Sequence, residues 1–78
     1  MTIIRWDIPT YNPKARIVDG PWGRYLVKRP TKGAHFFTTY HSGTPIKVSG
    51  EKLKDVMDEV EKLIVAAYPE YAEGSIRP

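Results

Sequence analysis

Arg24, Lys28, Arg29 and Lys32 are interleaved with Tyr25, Phe36, Phe37 and Tyr40 in the stretch RYLVKRPTKGAHFFTTY, residues 24 to 40. Ammonium and guanidinium groups neutralise phosphates and release counterions, while aromatic rings stack on bases or anchor protein interfaces. Cations and rings in alternation therefore point to recognition of an acidic partner through surface contact. Covalent chemistry is poorly provided for. The chain has no cysteine, which excludes disulfides and thiolate metal sites. Its two histidines, His35 and His41, share strand parity but lie about 20 Å apart at ~3.3 Å per residue, too far to share a metal ion. His41-Ser42 has the residue types of a base and nucleophile. Neighbours at a turn point apart, however, and no carboxylate is placed to orient the imidazole. Lys32-Gly33 lacks the spacing of a phosphate-binding loop. Asp55, Asp58, Glu59 and Glu61 read as ordinary charge on a helix surface. No catalytic residue, metal site or cofactor is expected, and the protein reads as a non-enzyme.

Charge is distributed unevenly along the 78 residues. Residues 1–50 carry eight Lys or Arg against two Asp, a net +6, whereas residues 51–78 carry four basic and seven acidic residues, a net −3. A basic front that meets an anion and an acidic back that faces away follow from this division. The opening MTIIRWDIP has no apolar run long enough for a secretory signal, and the longest apolar run, LIVAAY, is too short to span a bilayer. The expectation is a soluble cytoplasmic protein with no membrane partner.

The elements that must position these side chains can be read from periodicity. GRYLVKR and HFFTTYH are strand-like runs around the loop PTKGA, and TPIKV follows a two-residue Ser42-Gly43 turn. TIIRWDI reads as a further strand or a packed arm. PTYNPKARIVDGPWG reads as a loop with a short strand at ARIV. From Leu53 onward, Val56, Met57, Val60, Leu63, Ile64 and Ala67 recur at helical spacing, with Lys54, Asp55, Asp58, Glu59, Glu61 and Lys62 opposite. Ser49 is the expected N-cap, Glu51 suits the first turn, and Pro69 stops the helix near Ala67 or Tyr68. The expected fold is α+β in one domain over residues 1–78. An N-terminal strand and Pro-rich arm (1–23) precedes a three-stranded antiparallel sheet (24–48), a helix (49–68) and a loose tail (69–78).

Turn positions set the register. A Ser42-Gly43 turn puts Thr39 opposite Ile46, Thr38 opposite Lys47 and Phe37 opposite Val48. A loop centred on Lys32 puts Val27 opposite Phe37, Tyr25 opposite Thr39 and Lys28 opposite Phe36. Opposed residues share a face. Tyr25, Val27, Phe37, Thr39, Ile46 and Val48 then form an apolar face for the helix. Arg24, Leu26, Lys28, Phe36, Thr38, Tyr40 and Lys47 form the other face, cationic and aromatic together. A one-residue slip would bury Lys28 and Lys47, which their charge forbids. Trp6 and Trp22 are expected to complete the small core, although beside Tyr11 they would also serve as anchors on a Pro-rich loop.

With this strand order and a single helix, residues 22–68 resemble in architecture the arm-site DNA-binding domains of tyrosine recombinases and the plant ethylene-response-factor domains. That resemblance implies DNA contact through the open sheet face, with Arg24, Lys28, Lys47 and Tyr40 reading the duplex and Arg29 and Lys32 on its backbone. The same face, with Phe36 and Thr38, equally suits RNA or a protein partner. A small basic chain of this kind is typical of phage and mobile-element genes that modulate a host protein. Self-association through two such faces is a third arrangement, though Lys28 facing Lys28 opposes a tight one.

Overall fold

In the first strand Ile4 and Trp6 are buried while Arg5 and Asp7 are exposed, the period-two pattern of a chain with one face on a core. The protein is described by a computed structural model covering residues 2–78. The order is β1 (Ile4–Asp7), β2 (Arg16–Gly20), β3 (Gly23–Lys28), β4 (Phe37–His41), β5 (Thr44–Gly50), α1 (Leu53–Ala67), a 3-10 turn (Pro69–Glu73) and β6 (Ser75–Ile76). The six strands form one sheet in the order β5-β4-β3-β2-β1-β6, antiparallel throughout except for the parallel pair β1 and β6.

The α+β class holds, but the sheet has six strands where three, with an extra N-terminal strand as an option, were expected. The strands suggested in TIIRWDI and ARIV both form and belong to the sheet. Trp6 pairs with Val18, and Val18 with Tyr25, so β1 and β2 extend the sheet beyond β3. Burial of Ile4, Trp6 and Val18 against the core accounts for this. The tail expected at 69–78 is also built into the structure. Tyr71 of the 3-10 turn meets the Trp22 ring edge-on at 4.8 Å, and Ile4 N–H donates to the Gly74 carbonyl at 3.0 Å as β6 joins β1. Arg77 then reaches back to α1, bonding Asp58 Oδ1 at 2.5 Å and Glu61 Oε2 at 3.0 Å. The same Glu61 oxygen accepts the Trp6 indole N–H at 2.7 Å. Asp58 and Glu61 are therefore structural clamps, a correction to their reading as ordinary surface charge.

Val56, Met57, Val60 and Ile64 of α1 are buried over β3, β4 and β5. Leu63 and Ala67, expected on that stripe, are exposed, and Val65 and Tyr68 pack on the core instead. Ser49 is not the N-cap. It lies in β5, and the cap position falls to Lys52, which offers no side-chain bond. Strand pairing therefore takes up the residue that helix chemistry favoured. The β4–β5 turn forms as expected, with Ser42 and Gly43 both at positive φ (50° and 88°), the backbone of a two-residue hairpin.

Register differs in detail and leaves the faces intact. Val27 pairs with Thr39, Tyr25 with His41 and Lys28 with Thr38, a two-residue offset from expectation because the loop is centred on Gly33 and not on Lys32. Thr39 does pair with Ile46, but Thr38 then meets Ser49 and Phe37 meets Gly50, across an irregularity that gives β5 two extra residues, Lys47 and Val48. Both departures are even-numbered, so no side chain changes sides.

Candidate functional site

Alternation from the core residues Val18, Tyr25, Val27 and Thr39 puts Asp19, Arg24, Leu26, Lys28, Thr38 and Tyr40 on the face turned away from α1. Ile17 points the same way yet is only 8% exposed, and neighbouring Ala15 is fully buried. The Pro-rich loop of residues 8–15 lies beside this part of the sheet, where Tyr11 lines a hollow with Leu26. The open face is thus narrower than the sheet itself. It comprises β3 to β5, bounded on the β2 side by a loop that sequence reasoning had left without a place.

Two hollows lie along this boundary. The first, about 330 Å³, is lined by Lys14, Lys28, Arg29 and Lys32 together with Asn12, and contains no carboxylate. Among the described residues the ion pairs engage Arg24, Lys62 and Arg77, so none of these four cations is neutralised by a carboxylate. Like charges held around one concavity produce a positive potential that favours an anion. The second hollow, about 380 Å³, is lined by Tyr11, Arg24, Leu26, Lys28 and Tyr40. Lys28 belongs to both. Its ammonium lies 5.3 Å from the centre of the Tyr40 ring, a cation–π distance that places a charge beside an aromatic surface.

The eight residues singled out from sequence are not all brought together. Lys28, Arg29 and Lys32 share the first hollow, and Arg24, Lys28 and Tyr40 share the second. Arg24 is already engaged: its Nε and Nη2 donate to Asp19 Oδ1 and Oδ2 at 2.7 and 3.2 Å. That hydrogen bond, more than the accompanying Coulomb attraction, raises the Arg24 pKa above its ordinary value. Arg29 sets its guanidinium 5.2 Å from the centre of the core ring Phe37, closing the edge of the core while lining the hollow. Thr38 lies on the open face with its hydroxyl donating to the Lys28 carbonyl at 3.4 Å. Phe36 is exposed just before β4 and lines neither hollow. Lys47 lines a separate groove with Asp55 and Glu59, where acidic neighbours offset its charge. The face read from sequence therefore divides, and its cationic centre lies between the two loops.

Tyr11, Asn12 and Lys14 were missing from the candidate set. Their signal was compositional, a Tyr and a Lys among prolines, and carried no periodicity to assign them a face. Nearby groups of chemical interest have structural partners. His41 stacks on Tyr25 at 4.3 Å with the rings 9° apart, and its Nε2 lies 2.6 Å from the Trp22 carbonyl, to which it must donate. Burial pushes the Tyr25 phenol pKa up. Among the described residues no three His, Asp or Glu side chains are grouped to hold a metal ion, and no helix is long and apolar enough to cross a membrane. No protein-family model, curated protein or solved structure matches the chain.

Proposed function

We propose that the protein is a non-enzymatic module that binds DNA through the open sheet face and the two loops beside it. The observation that carries this reading is the hollow of Lys14, Lys28, Arg29 and Lys32, four cations with no carboxylate among them. Keeping four like charges together is unfavourable unless a polyanion meets them, and a phosphate backbone meets them with regularly spaced charge. The three strands and helix behind the likeness to sheet-face DNA-binding domains form only part of a six-stranded sheet, so the reading rests on the hollow itself.

The test is binding of labelled random-sequence DNA, duplex and single-stranded, at two salt concentrations. Four phosphate contacts predict a log–log salt slope of roughly 3 to 4 on duplex. Lys28→Glu, at the joint of the two hollows, is expected to weaken binding by at least about tenfold, the scale of one charge-assisted contact. Lys32→Glu, on the exposed loop, repeats the test away from the sheet. Flat salt dependence, or unchanged affinity in both variants, would rule out this surface.

A protein partner is the second reading, favoured by half-exposed Leu26 and Tyr40 on the open face and by exposed Phe36 just before β4. In that case Tyr40→Ala and Phe36→Ala would outweigh any single lysine and salt would matter little.

A further inference from the structure

On the reading that this face binds nucleic acid, we propose that the two hollows joined at Lys28 form a single-strand site. The phosphates of an extended strand seat on Lys14, Arg29 and Lys32, and an unpaired base stacks in the second hollow between Tyr11 and Tyr40. The division of chemistry between the hollows supports this occupant. One is lined by cations without a carboxylate, and its neighbour sets two phenol rings and Leu26 beside Arg24 and Lys28. Phosphate and base of one nucleotide require that pairing of surfaces side by side.

Tyr11 is 71% exposed, more than any other large apolar or aromatic side chain among the described residues. It is nevertheless held on a firm crest. Asn12 N–H donates to the Pro9 carbonyl at 3.2 Å, Ala15 N–H to the Asn12 carbonyl at 3.1 Å, and Lys14 N–H to Asn12 Oδ1 at 3.1 Å. Pro9 and Pro13 restrict the backbone on either side. A ring presented on a pre-ordered turn loses little conformational freedom when a base stacks on it. In a duplex the base faces are already stacked, so only the cations find a partner. A single strand engages both hollows.

Anisotropy titration with a labelled oligothymidylate of about 12 nucleotides, the matching oligouridylate, and a duplex of equal length tests this directly. The single strands are expected to bind more tightly than the duplex at the same salt, and the ratio between thymidylate and uridylate distinguishes DNA from RNA. Tyr11→Ala is expected to lower single-strand affinity by roughly five- to a hundredfold, the range for loss of one stacked base, and to lower duplex affinity far less. Tyr11→Phe keeps the ring and should keep the affinity. Duplex binding at least as tight as single-strand binding, or a Tyr11→Ala variant indistinguishable from the parent, would overturn the single-strand site. If duplex binding still fell in Lys28→Glu, the DNA-binding face would survive that result. Absence of binding to any of the three probes at low salt would overturn both.

Discussion

Thr39 is fully buried in β4 between Val27 of β3 and Ile46 of β5, and its hydroxyl has no hydrogen-bond partner among the described residues. A buried hydroxyl without a partner carries an uncompensated desolvation penalty of about 1–3 kcal/mol. Thr39→Val keeps the β-branched shape and replaces the hydroxyl with a methyl group, whose burial contributes about 0.8 kcal/mol. Allowing for imperfect repacking, the net stabilisation should be about 1–2 kcal/mol. For a chain of this size that raises Tm by roughly 5–10 °C. Urea and thermal unfolding followed by circular dichroism measure the change, and an unaltered urea m-value would place it in the folded state. Thr39→Ser is the control. It retains the hydroxyl, loses a buried methyl and should be less stable by about 1 kcal/mol. A valine variant equal to or below the parent would show that the hydroxyl is satisfied and that the reasoning is wrong. The proposed binding face should be untouched in Thr39→Val, because Thr39 points toward α1 and away from it.

Two further outcomes concern the parts of the chain that complete the sheet. Arg77→Ala removes the link from the C-terminal residues to Asp58 and Glu61 and should lower stability by about 1 kcal/mol, the partly exposed setting discounting the pair. The Arg77 hydrogen bond lowers the Asp58 pKa below its ordinary 3.8, so the stabilisation is complete above that pH and is lost as pH falls through the depressed folded value. Stability below pH 4 should therefore fall more steeply in the parent than in Arg77→Ala; parallel acid profiles would contradict the clamp. Gly20→Ala would set a Cβ 2.5 Å from the Trp22 ring, forcing the indole to move, with an expected loss of about 1–3 kcal/mol and a changed near-ultraviolet circular dichroism spectrum.

Periodicity reached the helix, the two strands around residues 29–36 and the strand after Ser42-Gly43, and it suggested strands at TIIRWDI and ARIV without placing them in the sheet. The turn at Ser42-Gly43 was legible because two residues at positive φ have a compositional signature. The β3–β4 loop had none so definite, and its centre was misplaced by one residue. Because moving a hairpin centre by one residue shifts its register by two, the faces came out correctly although the pairs did not. Short strands were harder to read. β1 has only four residues and β6 only two, and both are held by non-local partners: Trp6 through Glu61, and β6 through Ile4 and Arg77. No window of sequence contains those contacts.

The candidate site shows the same division between local and non-local information. Lys28 and Tyr40 share a face because β3 and β4 are neighbours in sequence, and alternation alone brings them together. Tyr11, Asn12 and Lys14 line hollows with Lys28 because β1 and β2 pair, which brings the intervening loop alongside Lys28. Lys47 shows the converse. Its parity is right, but β5 lies on the far side of β4, where Asp55 and Glu59 share its groove. Parity decides which side of a sheet a residue is on, and strand order decides which residues on that side meet. The cationic centre depends on both, so it lies at Lys28, where the local hairpin and the non-local loop coincide.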